Sequence, residues 1–171
     1  MAVNPVELAA RVAEAVPASD AREVEGTPMP SIVVGSTEMP EVLAFLRDQA
    51  GFRLFTDATC VDREPSKGML EVVYTLRSAT DFGDTICVQT FVDAAEPSMP
   101  TSSAVFKGIN WAEREIYDMF GVVFEGHPDL RRILLYPEFV GYPLRKSYPY
   151  QQRQPLTEER DPIANPWPKR H

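Results

Sequence analysis

The chain is short of the residues that metal and redox chemistry usually demand. Its 171 residues include only two cysteines, Cys60 and Cys87, and two histidines, His127 and His171. An iron–sulfur cluster wants four thiolates and a structural zinc site four Cys or His ligands, so neither is expected within this chain. Each cysteine stands in an apolar, strand-like run and reads as a buried, inert thiol. Positive charge is also scarce: 17 Lys and Arg face 25 Asp and Glu, for a net charge of −8 and a pI near 4.8. That balance speaks against a nucleic-acid partner, although Arg131, Arg132, Arg145 and Lys146 could form a local basic patch. No apolar run approaches the roughly eighteen residues of a membrane-spanning helix, so no direct membrane span is expected. The first residues carry Glu7 and Glu14 and no basic leader, which argues against a signal peptide and for the cytoplasm. Gly-rich phosphate loops, nucleophile elbows and His/Cys metal spacings are absent as well.

What is present reads as one folded domain over residues 1–148 and a proline-rich tail over 149–171. Pro5 to Val16 has Leu8, Val12 and Val16 at helical spacing, with Pro5 suited to a first turn. Pro17 to Pro30 reads as a connector, and Ser31 to Val34 as a short strand. A second helix is expected after Ser36 or Thr37 as N-cap, with Val42, Leu43, Phe45 and Leu46 inward and Gly51 closing it. Three strands follow, Phe52–Val61, Leu70–Arg77 and Thr85–Val92, the last two with strict apolar alternation. Ser66-Lys67-Gly68 and Ala79 to Asp84 supply the turns of an antiparallel meander. The fold class expected is α+β: a two-layer domain with a mostly antiparallel mixed sheet covered by helices, then an extended proline-rich tail.

The densest stretch is Asn110 to Leu135, NWAEREIYDMFGVVFEGHPDLRRILL, where eight charged side chains and His127 are mixed with a dozen large apolar ones. Asn110 is expected to cap a helix with Glu113 in a relative of the capping box and Gly121 at its end. Ala112, Ile116, Met119 and Phe120 share its inner face. Arg114 and Asp118 are spaced to pair at i,i+4, while Glu115, Trp111 and Asp118 mark a second stripe. Val122 to Phe124 resumes a strand, and Gly126-His127-Pro128-Asp129 makes a turn. His127 could be a general base supported by Asp129, Glu113 or Glu115, or a structural His-Pro turn. The charges could form a solvated helix face, or a buried and paired cluster that serves a docking surface; an isolated buried ion would cost several kcal/mol.

Glu113-Arg114-Glu115, Asp118-Met119-Phe120-Gly121, Phe124 and Gly126-His127-Pro128-Asp129-Leu130-Arg131-Arg132-Ile133-Leu134 together resemble the thirty-kilodalton subunit (the bacterial C subunit) of proton-pumping NADH:quinone oxidoreductase, respiratory complex I. Gly141, Pro143-Leu144-Arg145-Lys146 and Tyr148-Pro149 resemble it too, while Tyr142 and Ser147 depart from the family's His and Asp. The resemblance spans about Pro5 to Tyr150. It implies a peripheral-arm subunit with no catalytic, metal or cofactor-binding residues of its own. Its partners would be a quinone-site subunit of the D type and iron–sulfur subunits of the B and I types. FMN, iron–sulfur clusters and quinone would belong to those other subunits, and the assembly would lie on the cytoplasmic face of the inner membrane. Trp111, Glu113 to Glu115, Asp118, Phe120, Gly121, Phe124, Gly126 to Asp129, Arg131 and Arg132 would be its bracing and docking residues. Some family members are fused to the neighbouring subunit, which is not expected for this chain; others serve in related membrane-bound hydrogenase and quinone-reducing assemblies.

The tail points to docking on separate grounds. From Pro149 to His171 it holds five prolines and no glycine, a composition that favours an extended, stiff segment. Trp167 between two prolines suits an interface anchor, with Arg145, Lys146 and Tyr148 as further expected partner contacts. The alternatives from other classes are a stand-alone enzyme using His127 and a regulatory binding module without a fixed assembly.

Overall fold

The computed structural model describes residues 3–64, 68–79, 83–149 and 151. Helix α1 (Pro5–Ala15) starts where Asn4 Oδ1 accepts from the backbone N–H groups of Val6 and Glu7, with Pro5 where its missing N–H costs nothing. Strand β1 (Arg22–Glu23) lies inside the expected connector and pairs antiparallel with β2 (Ser31–Val33). Helix α2 (Met39–Asp48) begins later than Ser36 or Thr37 would place it, and no side chain caps it. Pro40 explains the shift, since proline is tolerated in a first turn but not deeper in a helix. Gly51, at φ 85°, turns the chain out, and the Phe52 N–H bonds back to the Leu46 carbonyl.

Strands β3 (Leu54–Glu64), β4 (Met69–Arg77) and β5 (Thr85–Asp93) form the expected antiparallel meander. The full sheet runs β1-β2-β5-β4-β3, with β2 parallel to β5. This parallel pair requires a crossover, which α2 and the meander supply. Leu70, Val72, Tyr74 and Leu76 of β4 lie opposite Val92, Thr90, Val88 and Ile86 of β5, and all eight are buried on the helix-covered face. Cys60 and Cys87 are free and buried, and burial pushes the Cys60 thiol up to about 12. The other face keeps Val61 and Phe91 exposed, and a hollow of about 330 Å³ opens there beside Phe91, Met69 and Gly26.

The chain leaves the main sheet after Asp93, and Pro97 precedes and Pro100 ends a further short strand. Strand β6 (Ser98–Pro100) pairs parallel with β7 (Val123–Glu125) in a second, two-stranded sheet. Between them helix α3 (Ile109–Phe120) packs against β3 and buries Ile109, Ile116, Met119 and Phe120. It starts one residue before Asn110, which is therefore not its cap. The chain is already coiled there: the N–H groups of Val105 and Ile109 bond the carbonyls of Ser102 and Phe106. Gly121 ends the helix at φ 77°, as its position predicts.

Candidate docking site

Two carboxylates of α3 are fully buried, and they are satisfied in different ways. Glu113 faces the sheet. One of its oxygens accepts from the Ser102 N–H at 2.7 Å and from the Tyr74 hydroxyl at 3.4 Å, and the other from the Thr101 hydroxyl. No guanidinium or ammonium group reaches it among the described residues. Burial therefore holds the Glu113 carboxyl above its ordinary value, only partly offset by those three donors. Burial, together with the nearby Glu113 charge, pushes the Tyr74 phenol well above its own.

Asp118 faces the other way, toward the segment after β7. One oxygen accepts from Arg132 Nη1 at 2.8 Å. The other gathers three successive main-chain N–H groups, from Ile133, Leu134 and Leu135, at 3.1, 2.8 and 2.9 Å. Burial alone would raise this carboxyl, but the Leu135 N–H, Arg132, and the Leu134 and Ile133 N–H groups outweigh it and hold it below the ordinary value. Arg132 Nη2 donates to the carbonyls of Phe139 and Gly141, at 3.0 and 3.2 Å, and the guanidinium lies over the rings of Phe139 and Tyr142. One ion pair thus fastens an irregular segment of some ten residues onto the helix.

The expected Arg114–Asp118 pair does not form. Arg114 instead donates to the carbonyls of Arg131 and Arg132, at 3.1 and 3.3 Å, and stacks over Trp111. An i,i+4 pair on a helix surface is worth about 0.2–0.5 kcal/mol, less than the several charge-assisted bonds each partner makes elsewhere. The expected stripe of Trp111, Glu115 and Asp118 also divides, with Trp111 and Glu115 exposed and Asp118 buried.

His127 closes the Gly126–Asp129 turn, where Gly126 takes φ 79°. Its Nδ1 accepts from the Asp129 N–H at 3.0 Å, and Nε2 lies 3.2 Å from the Asn110 carbonyl. With Nδ1 accepting, Nε2 is the nitrogen that donates to the Asn110 carbonyl, and the ring pins the turn to the start of α3. Glu113 is 3.8 Å from Nε2 and gains no counter-ion from it. Both ring nitrogens are engaged and the side chain has no exposed surface, which leaves no free nitrogen for a substrate. Asp129 pairs with Arg131 at 3.0 Å in an open position, and Pro128 is exposed. Phe120 and Phe124 belong to the core.

Beyond the turn, Arg145 donates to the Phe120 carbonyl and, at 2.9 Å, to that of Ala94, closing the C-terminal end of α3. Its guanidinium is used within the chain rather than offered outward. Lys146 reaches Asp62 through its N–H and the Arg63 carbonyl through its ammonium. The Tyr148 ring stacks on Phe139 and packs against Gly141. Trp167 and the rest of the tail beyond residue 151 lie outside the described residues, as do Ser66, Lys67 and residues 80–82 of the expected turns. Sequence reasoning missed Tyr74, Thr101 and Ser102 as the Glu113 cradle, although a tyrosine hydroxyl on a core face always signals a partner to be found.

The model of the family described as respiratory-chain NADH dehydrogenase, 30 Kd subunit, matches residues 32–154. The chain belongs to that family. It is 42% identical over 125 residues to the C subunit of NADH-quinone oxidoreductase from Geobacter metallireducens, covering 71% of this chain and 75% of that one. It is 39% identical over 126 residues to a C/D subunit of the same enzyme from Bdellovibrio bacteriovorus, covering 74% of this chain and 22% of that longer one. Among solved structures, the archaeal membrane-bound sulfane sulfur reductase, a respiratory membrane complex, contains a chain similar at TM-score 0.68 and 26% identity, over 91% of this chain and 96% of that one. A trypsin-resistant fragment (1–134) of Nqo5 is similar at TM-score 0.58 and 30% identity, over 72% of this chain and 99% of the fragment. The resemblance seen in the Glu113–Leu134 motif and the α+β fold expected with it both stand. No helix among the described residues is long and apolar enough to cross a membrane.

Proposed function

We propose that this chain is a structural subunit of the peripheral, quinone-connecting arm of a proton-pumping NADH:quinone oxidoreductase, binding no cofactor itself. Residues 1–148 form its α/β body and residues 149–171 a tail that lies along a partner through Trp167. Its partners are a quinone-site subunit of the D type and iron–sulfur subunits of the B and I types. It sits peripherally at the cytoplasmic face of the membrane, and electrons pass through the neighbours' FMN and clusters to quinone.

The single observation that carries this reading is the use of the family motif's charges. Glu113, Asp118, His127 and Arg132, together with Nε and Nη2 of Arg114, hold α3, the His-Pro turn and residues 130–145 as one surface. The charges of that motif brace; none is left poised over a substrate. Exposed Trp111, Leu134, Val140 and Leu144 along that surface supply the apolar area an interface needs. The Bdellovibrio relative supports the D-type neighbour, since its name joins C and D in a single polypeptide.

A second reading places the chain in a related membrane-bound assembly, a hydrogenase or another quinone-reducing complex; its likeness to a chain of the sulfane sulfur reductase favours it. Affinity purification of the tagged chain in mild detergent tests both. Recovery with NADH-oxidising, cluster-bearing subunits supports the first reading, and recovery with hydrogen- or sulfur-metabolising subunits the second. A chain that purifies alone contradicts both.

A further inference from the structure

A groove of about 490 Å³ runs between α3 and residues 130–137, with Arg114, Arg131 and Arg132 along it and Leu130, Ile133 and Pro137 as apolar walls. Three guanidinium groups in one groove are unexpected on a chain of net charge −8. Their compensation is incomplete. Arg132 is paired with buried Asp118, and Arg131 with exposed Asp129. Arg114 meets only neutral main-chain carbonyls through Nε and Nη2, and its Nη1 has no partner among the described residues. Glu115, next along the helix, is exposed and makes no ion pair with it among those residues. Three cations against two carboxylates leave the lining with one positive charge in surplus.

We propose that this groove receives one carboxylate side chain of an acidic segment on a neighbouring subunit, held by Arg114 and Arg131. The inference rests on the docking function proposed above and names the chemistry of the contact. A guanidinium held in place by two carbonyls keeps Nη1 to donate to a carboxylate, at a lower ordering cost than a free side chain would pay. The surplus of one charge matches a single carboxylate, whereas a phosphate dianion would overcompensate it. The apolar walls, with Trp111 and Leu134 each 62% exposed beside them, suit a peptide segment rather than a small hydrated anion.

Arg131 is the position to probe, because its guanidinium is exposed and its one ion pair is with the exposed Asp129. In cells carrying R131K, the complex is extracted in mild detergent and treated with a water-soluble carbodiimide, which joins an amine to a carboxylate in contact with it. The expected result is a cross-link from position 131 to an Asp or Glu of a neighbouring subunit, absent from the unsubstituted complex. R131E is expected to lower the recovered complex at least roughly threefold, through like-charge repulsion at the contact. Coupling only within the chain, as to Asp129, or full recovery of the R131E complex, overturns the inference. Suppression of all coupling by inorganic phosphate, without any partner cross-link, would identify a free-anion site and overturn it too. If the complex forms normally but no partner is captured, the inference alone falls; if the unsubstituted chain purifies alone, the docking function falls with it.

Discussion

Glu113 and Asp118 stand five residues apart on one helix, both carboxylates and both without exposed surface, yet their environments push them in opposite directions. Asp118 has a guanidinium and three aligned N–H groups, so its charge is stabilised where it lies. Glu113 has three neutral donors and no cation, so burial wins. The contrast shows that hydrogen bonds from neutral groups satisfy the geometry of a buried carboxylate without fully replacing its lost hydration. It also separates two tasks. Glu113 ties α3 to the sheet and to the Thr101–Ser102 loop, inside the body of the domain. Asp118 ties α3 to residues 132–141, the segment that forms the outer surface.

The largest expected effect is at the Asp118 end. Asp118→Ala or Arg132→Ala leaves the other partner buried and charged, and should destabilise the chain by about 3–5 kcal/mol in urea unfolding. A loss below about 1 kcal/mol would mean that the pair is solvated and the contrast with Glu113 is false.

Glu113→Ala should cost about 1–3 kcal/mol by stranding the Ser102 N–H and the Thr101 and Tyr74 hydroxyls. Glu113→Gln keeps the shape, and its comparison with the unsubstituted chain sharpens the contrast through pH. The folded-state value of Glu113 is raised, so its contribution is full below pH 4.5 and is lost as pH rises through that raised value. Glu113→Gln should therefore gain on the unsubstituted chain as pH rises above 4.5. Asp118, whose value is lowered, runs oppositely: its contribution is present above pH 3.8 and lost as pH falls through the folded value. The disadvantage of Asp118→Asn should thus be greatest near neutrality and shrink in acid. Parallel pH trends for the two variants would break the comparison.

Gly121→Ala acts on the Asp118 side indirectly. Its φ of 77° disfavours any side chain, and a Cβ there would lie 2.4 Å from the Tyr142 ring that covers Arg132. A thermal-melt loss equivalent to about 2 kcal/mol is expected. The smallest effect belongs to Arg131→Ala. Its pair with Asp129 is exposed on both sides, so the isolated chain should change by less than about 1 kcal/mol, although complex recovery should fall.

Much of this was legible in the sequence, and the reasons differ by element. The strict alternation in β4 and β5 announced one buried face, and every residue of that face is buried, although Glu71, Cys87 and Gln89 on the opposite face are buried as well. Gly121 and Gly126 were readable because a left-handed turn has few other solutions. The pairing of the charges was not readable. Spacing placed Arg114 opposite Asp118 along the helix, but the partners came from fourteen to eighteen residues downstream, and five of them are backbone groups without a side-chain signature. The Glu113 cradle failed for the same reason, since the Ser102 N–H and the Tyr74 hydroxyl meet it only after β4, β6 and α3 have assembled. The late start of α2 was legible in Pro40, which outranked the nearby Ser36 and Thr37.

The role proposed for the charge cluster of α3 is in assembly and not in turnover. The most direct test measures two quantities in cells carrying Arg132→Ala: the yield of complex recovered through a neighbouring subunit, and the NADH:quinone turnover per assembled complex. A large fall in yield is expected, with turnover per complex close to that of the unsubstituted assembly. Undiminished yield with turnover lost would contradict it and return the cluster to the active-site class.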